Sequence, residues 1–272
     1  MSLYHASTDG CFRLLKGDCA GLLRAGGLGP FDMVFADPPY FLSNGGFSVQ
    51  AGKRVSVNKG AWDRSRGREA DREFTRSWLK ACRDAMADDA TIWVCGTFHN
   101  VFTVADVLSE LEFKTLNAVT WQKTNPTPNL SRRCFTHSTE ILLWARKERR
   151  VPHFYNYELM HRLAGGRQMT DVWRMPAIAP WEKTCGRHPT QKPLALVVRA
   201  ILASTREGAS VLDPFAGSGT TGIAARLTGR RFVGIDVADD YLSVAARRYE
   251  LLPEKRAEWT AKIPDLKLAA WH

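Results

Sequence analysis

The sequence has no run of about 18 apolar residues and no apolar N-terminal segment, so it predicts neither a membrane span nor a secretory signal. Its six cysteines are scattered and include no C-x-x-C pair, which predicts neither a zinc site nor a disulfide framework. We therefore expect reduced thiols in a cytoplasmic protein. The motif G-x-x-x-x-G-K-[ST] is also absent, which argues against a Walker-type nucleotide site.

Acidic residues are fewer than basic ones. The chain has 28 Asp and Glu against 38 Lys and Arg, a formal net charge of +10. This excess favours an anionic partner, nucleic acid above all, over the alternative of a generically basic soluble protein. At 272 residues the chain is long enough for one large α/β domain or two small ones, with a sizeable core.

A short apolar run, 31–36, follows a Gly/Pro turn and predicts a buried strand. It delivers Asp37, Pro38, Pro39 and Tyr40 to the strand's carboxyl end, where open α/β sheets place their chemistry. The two prolines stiffen the peptide and remove two backbone donors, which leaves carbonyl acceptors. The carboxylate of Asp37 and a free proline carbonyl can accept hydrogen bonds from an amino group on a flat heterocycle, next to the Tyr40 ring. A strand that merely ends in a Pro-rich turn is the alternative.

Strand-like and helical patterns alternate along the chain and predict an α/β protein with a mostly parallel sheet. Asp18 falls at a predicted strand tip, either as a ligand or as a helix N-cap. The segment 41–63 predicts a long loop whose Lys53, Arg54 and Lys59 contact a nucleic-acid backbone, with a solvated loop as the alternative.

Periodicity weakens after residue 146. The segment 147–187 combines aromatic residues with an excess of cations and predicts a small lobe that contacts nucleic acid, against the alternative of a decorated surface loop. The cations expected to contact DNA are Arg149, Arg150, Arg162, Arg167 and Arg174.

A glycine-rich loop at 217–222 matches G-x-G-x-x-G between a predicted strand and a helix. Asp236 ends the next predicted strand about 20 residues later, where it can accept hydrogen bonds from ribose hydroxyls. This context predicts a nucleoside-containing cofactor. Asp213, at the tip of the preceding strand, would repel a pyrophosphate and attract an ammonium group, which favours S-adenosylmethionine over NAD. An NAD-dependent oxidoreductase is the remote alternative.

Three motifs in this order, D-P-P-Y at 37–40, H-P-T-Q-K-P at 188–193 and D-P-F-A-G-S-G-T at 213–220, resemble the β-class DNA amino-methyltransferases. The stretches 37–44 and 56–63 also resemble MboII-type adenine methyltransferases. The resemblance implies a Rossmann-like methyltransferase fold, with a mostly parallel seven-stranded sheet, helices on both faces and a circularly permuted motif order. The catalytic half would be 1–146, the target-recognition lobe 147–187 and the cofactor-binding half 188–272.

The same resemblance implies the residues that hold S-adenosylmethionine. They are Asp213, Phe215, Ala216, Gly217, Ser218, Gly219 and Thr220 on the methionine side, His188, Thr190, Lys192 and Pro193 at the methionine end, Asp236 at the ribose, Asp18 on the adenine side, and Asp37 between cofactor and base. Thr190 or Lys192 would lie near the methionine carboxylate.

The implied reaction is direct methyl transfer to adenine N6 in a base flipped out of duplex DNA. Asp37 and the Pro38 carbonyl would accept the two amino N–H groups, and Tyr40 would stack on the base. Cytosine N4 and an RNA amino group are the alternatives; cytosine C5 is disfavoured because no Pro-Cys nucleophile is present. The resemblance implies a bacterial-type, nucleoid-associated enzyme, and leaves open a homodimer and a cognate restriction endonuclease.

Overall fold

The structure is a computed structural model that describes residues 2–42, 47–50, 53–56, 63–129, 131–183, 185–186 and 189–269, with the backbone alone at 47–50 and 53–56. The main sheet contains β1 (Ser2–Ala6), β2 (Phe12–Lys16), β3 (Phe31–Ala36), β6 (Met86–Gly96), β7 (Lys114–Lys123), β8 (Thr139–Arg146), β9 (Val172–Met175), β10 (Ser210–Asp213) and β11 (Arg231–Asp236). The helices are α1 (Cys19–Arg24), α2 (Arg68–Ala85), α3 (Val101–Glu110), α4 (Tyr157–Leu163), α5 (Leu194–Ser204), α6 (Thr220–Leu227), α7 (Asp239–Glu250), α8 (Leu252–Lys262) and α9 (Pro264–Ala269).

The sheet order is β1-β2-β11-β10-β3-β6-β8-β7-β9. The run from β2 to β6 is parallel throughout, whereas β8 is antiparallel to both β6 and β7. The expected α/β fold is therefore confirmed, but the expected count of seven strands is wrong. Two short strands, β1 and β9, extend the seven central strands at opposite edges. Both are brief and partly exposed, so their sequences carry little hydrophobic pattern.

Core residues lie on both faces of the sheet. Met33 on β3 and Val211 on β10 belong to one apolar cluster, whereas their chain neighbours Val34 and Leu212 belong to the other. Successive side chains of a strand point to opposite faces, so a strand buried on both faces reads as a continuous apolar run. This explains why β3 and β10 are recognisable in the sequence. No helix among the described residues has the length and apolar character needed to cross a membrane.

The segment 147–187 shares the core of the main domain. β9 pairs with β7, and Leu159, Met160, Trp173 and Met175 lie in the same apolar cluster as α5. Its elements are short, at seven and four residues, which explains the weak periodicity of the sequence. The segment therefore has a buried side of its own, and its expected role in target recognition stays a prediction.

Two other segments differ from the sequence-based expectation. The long loop predicted over 41–63 contains a hairpin of β4 (Phe47–Gln50) and β5 (Lys53–Ser56), too short to give a clear alternating pattern. Beyond α7 the chain forms α8 and α9, which bury Trp259 and Leu266 against the main core. The sequence left this tail undefined, because two short helices, the second of which begins at Pro264, show little period.

Candidate active site

Three acidic residues lie at the carboxyl ends of neighbouring parallel strands. Asp37 follows β3, Asp213 ends β10 and Asp236 ends β11. The register of β3 on β10 aligns Met33 with Val211, so the two strand tips meet at one edge. Asp37 and Asp213 consequently line the same small cavity, of about 30 Å³, although 176 residues separate them in the chain. We call this edge of the sheet the carboxyl edge.

A larger cavity of about 200 Å³ opens beside the small one and shares Asp37, Thr190 and Phe215 with it. Its acidic lining and its aromatic and aliphatic walls come from strand tips on both halves of the chain. The predicted site residues that line the larger cavity are Asp18, Asp37, Pro38, Pro39, Tyr40, Thr190, Phe215 and Asp236. Those that line the smaller cavity are Asp37, Thr190, Lys192, Asp213, Phe215, Ala216, Gly217, Ser218 and Thr220.

Some predicted residues line neither cavity or lie outside the described part of the chain. Gly219 is buried at the start of α6 with φ +75°, and a Cβ there would meet the Ala245 Cβ at 2.7 Å, so helix packing and the left-handed turn both require glycine at this position. Pro193 precedes α5 and lines neither cavity. His188 lies outside the described residues, as does Lys59, and the side chains of Lys53 and Arg54 are likewise outside the description.

Asp213 is buried and its two oxygens are already engaged. Oδ1 accepts the Phe215 N–H at 2.9 Å and Oδ2 accepts the Thr221 hydroxyl at 2.5 Å. Burial raises the pKa of this carboxyl to about 7, with the Asp37 and Asp236 charges adding to the effect and the two hydrogen bonds opposing it. Asp213 can therefore change its charge near neutral pH.

Asp236 and Asp18 hold the backbone around the larger cavity. Asp236 accepts the N–H groups of Gly217 at 2.8 Å and Ala238 at 2.9 Å, and burial raises its pKa. Asp18 accepts the N–H of Gly21 at 2.7 Å as the N-cap of α1. Both alternatives raised for Asp18 are thus compatible with its position, because it caps a helix and also lines the cavity.

Lys192 differs from its sequence-based placement. Its Nζ lies 2.7 Å from both carboxylate oxygens of Asp37 and 3.5 Å from Glu140 Oε2, in a side chain that is 7% exposed. The expectation placed either Thr190 or this ammonium near the cofactor carboxylate; in the structure the ammonium contacts the acid of the D-P-P-Y motif. The lysine also lies 5.1 Å from the centre of the Tyr40 ring.

Tyr40 is largely buried, at 6% exposure. Its hydroxyl donates to Asp37 Oδ1 at 2.8 Å and lies 3.4 Å from Glu140 Oε2. Burial, followed by the charges of Asp37 and Glu140, raises the pKa of Tyr40 well above its ordinary value, so the hydroxyl stays protonated as a donor. The expected stacking of this ring on a base stays a prediction.

The chain is similar to known DNA methyltransferases in both sequence and structure. The N6/N4 methyltransferase profile, described as DNA methylase, matches residues 31–247. The type II methyltransferase M2.MboI of Moraxella bovis is 46% identical over 261 residues, which cover 96% of each chain. The type II methyltransferase M2.DpnII of Streptococcus pneumoniae is 53% identical over 220 residues, 80% of this chain and 82% of the relative.

The chain belongs to the N6/N4 family of DNA methylases. Solved structures confirm the fold. The M1.HpyAVI–SAM complex has a TM-score of 0.68 at 24% identity, over 88% of this chain and 100% of the other. The PvuII cytosine-N4-specific DNA methyltransferase has a TM-score of 0.69 at 17% identity, over 96% and 94%. The family and fold expected from the three motifs are both confirmed.

Several residues around the methylase site escaped the sequence analysis. Asp63 is fully buried and holds the backbone after the D-P-P-Y motif, accepting the N–H groups of Tyr40 and Phe41 at 2.9 Å each and of Leu42 at 3.2 Å. Glu140 pairs with Lys123 at 2.6 Å. The only sequence signal for Asp63 was its place in the stretch resembling MboII-type enzymes.

A buried arginine supports the glycine loop of the methylase. Arg248 donates to the Ser218 carbonyl at 2.7 Å and to the Thr220 hydroxyl at 2.9 Å. Burial lowers the pKa of Arg248 to about 10, while Glu182 opposes this, so the guanidinium stays charged at neutral pH. Glu182 in turn holds the 189–193 segment, because its carboxylate accepts the Leu194 N–H at 2.6 Å and its carbonyl accepts the Gln191 amide.

The predicted DNA-contacting arginines are spread over the molecule. Arg174 lies in β9 beside Gln122, near the carboxyl edge. Arg149 and Arg150 follow the end of β8, which runs antiparallel to β6, so the structure places them beyond the opposite edge of the sheet. Arg162 lies in α4, and Arg167 lies between α4 and β9.

A second set of basic and aromatic residues lies at the carboxyl edge itself. The loop 124–138 joins the end of β7 to the start of β8, and carries the exposed Arg132 and Arg133 and a Phe135 that is 95% exposed. Phe98, after β6, lies 5.4 Å from His137 between ring centres, which links this loop to the tip of the next strand. No role was predicted for this loop from the sequence.

The support that Asp63 gives to the D-P-P-Y motif predicts the effect of its removal. Asp63→Ala leaves three backbone N–H groups without their acceptor, at a cost of roughly 1–3 kcal/mol for each buried unsatisfied donor. We expect a loss of about 3 kcal/mol or more in the free energy of unfolding, measured by urea denaturation.

The matched variant is Asp63→Asn, whose remaining carbonyl oxygen can still accept two of the three N–H groups. It should lose clearly less stability than the alanine variant. Equal losses for the two variants would show that the carboxylate does not act through these hydrogen bonds.

Proposed function

We propose that this methylase transfers a methyl group from S-adenosylmethionine to adenine N6 at a specific site in duplex DNA. The observation that supports this most is the meeting of Asp37 and Asp213 in one cavity, within a chain of the N6/N4 DNA methylase family. Asp37 would receive the amino group of the target base, and Asp213 lies at the start of the glycine loop.

The residues of the larger cavity suit S-adenosylmethionine. Asp236 and Asp18 supply carboxylates for ribose and adenine donors, while Phe215, Val237 and Tyr241 supply walls for a flat ring. Asp213 supplies a carboxylate for the α-ammonium group, and the cofactor supplies an electrophilic methyl group when bound.

The protein's own contribution is to position the target amino group. Asp37 and the Pro38 carbonyl are hydrogen-bond acceptors, so together they can hold both N–H groups of an exocyclic amine. That arrangement directs the nitrogen lone pair away from the acceptors and fixes the reacting geometry, which is worth several kcal/mol of barrier. Nucleophilic attack by a cysteine is not required for transfer to an amino group, and burial raises the pKa of the nearby Cys95 thiol well above its ordinary value.

Cytosine N4 and RNA remain the alternatives that experiment must separate. The solved neighbour with cytosine-N4 specificity is below 25% identity and supports the fold alone. Aspartate as the first residue of the motif favours adenine within the family resemblance. We further propose that the enzyme acts with a cognate restriction endonuclease, as the type II names of its relatives suggest. We also propose that it is a cytoplasmic, nucleoid-associated protein and a homodimer.

The activity can be tested by methylating plasmid DNA with the purified protein and mapping modified bases at single-base resolution. We expect N6-methyladenine at one recurrent sequence, and Asp37→Asn should lower the rate roughly 100-fold or more because it loses an oriented acceptor. Calorimetry should show cofactor affinity within a few-fold of wild type.

Modified cytosines would assign the enzyme to N4 chemistry, and transfer to RNA but not to duplex DNA would overturn the proposal. Comparable turnover in Asp37→Asn would remove this residue from the reaction.

The raised pKa of Asp213 predicts a pH-dependent cofactor affinity. Below about 7 the carboxyl is protonated and offers no charge to the α-ammonium, whereas above it the carboxylate attracts that group. The dissociation constant of S-adenosylmethionine should therefore fall as pH rises from 5.5 to 7.5, by up to roughly tenfold per unit.

Asp213→Asn should bind more weakly at pH 7.5 and lose this dependence, as followed by calorimetry in matched buffers. A pH profile unchanged by the substitution would assign the titration to another group.

The placement of the arginines predicts which surface meets DNA. We propose that the duplex crosses the carboxyl edge and contacts Arg132 and Arg133, so Arg132→Ala with Arg133→Ala should weaken binding and reduce the slope of log K against log salt by about 2. Fluorescence anisotropy at several salt concentrations measures both quantities.

The matched control is Arg149→Ala with Arg150→Ala, which removes the same charge from exposed residues at the opposite edge. It should leave the slope nearly unchanged. The reverse result would place DNA on the side of 147–187 that the sequence analysis expected.

A further inference from the structure

The acid expected to receive the target amino group already holds a cation. Both oxygens of Asp37 accept hydrogen bonds from Lys192 Nζ at 2.7 Å, and Tyr40 donates to one of them. Hydrogen bonds between two charged partners are roughly twice as strong as those between neutral groups. A neutral base amino group therefore cannot engage Asp37 on equal terms while the ammonium stays in place.

A second carboxylate lies within reach of the same ammonium. Glu140 Oε2 is 3.5 Å from Lys192 Nζ, and Glu140 Oε1 accepts from Lys123 at 2.6 Å. Burial alone would raise the pKa of Glu140, but the charges of Lys192 and Lys123 outweigh it and lower that pKa. The glutamate is therefore an anion, at hydrogen-bonding range after a shift of less than an ångström.

Lys192 itself stays charged in this environment. Burial opposes its ionisation, yet the charges of Asp37 and Glu140 together raise the pKa of the lysine above its ordinary value. The formal charges of two lysines, Lys192 and Lys123, and two acids, Asp37 and Glu140, cancel. Moving the ammonium from one acid to the other changes no net charge, so the shift carries a smaller electrostatic cost than expelling the lysine into solvent.

We infer that Lys192 occupies the amino-group position of Asp37 when no base is bound, and that Glu140 receives the ammonium when the target base enters. Glu140 and Lys192 are then positioning residues that control the availability of Asp37. This inference rests on the proposed function, because it assumes that Asp37 receives a base amino group.

The inference predicts a selective effect on recognition of the amino group. The measurement compares binding of two duplexes that carry, at the mapped target position, either adenine or purine, which lacks the amino group. Fluorescence anisotropy gives the preference for adenine as a ratio of dissociation constants. Glu140→Gln should lower that ratio about tenfold, because Lys192 then has Asp37 as its sole carboxylate partner.

Removing the ammonium group of Lys192 should restore the preference for adenine over purine. Glu140→Gln combined with Lys192→Met should regain adenine preference to within about threefold of wild type, whereas two merely structural lesions would add or coincide. Lys123→Met leaves Glu140 with Lys192 as its sole cationic partner within the described network, so its adenine preference should be equal to or higher than wild type.

Three outcomes would overturn the inference. The first is a double variant as unselective as Glu140→Gln while its unfolding midpoint stays near that of the single variant. The second is an equal loss of preference in Lys123→Met. The third is a loss of S-adenosylmethionine affinity in Glu140→Gln as large as its loss of adenine preference, which would indicate that Lys192 contacts the cofactor. A wild-type protein that methylates no DNA would instead defeat the proposed function.

Discussion

The site depends on the parallel pairing of β3 with β10. This pairing joins residues 178 positions apart in the sequence, and it aligns Val34 with Leu212 between fully buried neighbours. A shift by one residue would turn each apolar side chain to the other face of the sheet, so the hydrophobic core fixes the register. The register in turn fixes where the acids after the two strands lie. The relative positions of Asp37 and Asp213 are thus fixed by packing in the core, at the residues that precede them in β3 and β10.

The acidic residues of the site differ in whether their hydrogen-bond donors are backbone or side-chain groups. Asp18, Asp63, Asp213 and Asp236 each accept at least one backbone N–H, whereas the donors described for Asp37 are side chains alone. The backbone donors are Gly21 for Asp18, Tyr40, Phe41 and Leu42 for Asp63, Phe215 for Asp213, and Gly217 and Ala238 for Asp236. Side chains can change rotamer within a fixed fold, and a backbone amide in a packed turn cannot. The described partners of Asp37 can therefore change by side-chain rotation alone, which is what its proposed role in binding the substrate requires.

The sequence predicted features that have local signatures. Strand tips ending in Asp37, Asp213 and Asp236 follow from apolar runs and turns, and the glycine loop follows from spacing. The partners of these acids could not be predicted in this way. Lys192 was assigned to the cofactor and Glu140 was not recognised, because their contact is set by sheet order and by side-chain reach across 52 residues of chain. Short edge strands and the tail helices escaped for a different reason, since four to eleven residues in irregular surroundings give too few periods to detect.

The basic residues of the chain lie at both edges of the sheet, which the sequence alone does not reveal. An excess of cations favours a polyanionic partner, but the position of a cation along the chain does not reveal which edge of the sheet it reaches. That depends on how many strands have reversed direction before it. β8 runs opposite to β6, so the residues before it, including Arg133, lie at the carboxyl edge, and those after it, including Arg149, lie beyond the other edge. The basic segment that was most conspicuous in the sequence therefore turns part of its charge away from Asp37, whereas the loop 124–138 lies at the same edge of the sheet as the site. The proposed path of the duplex, across the edge where that loop lies, therefore rests on strand direction more than on local charge density.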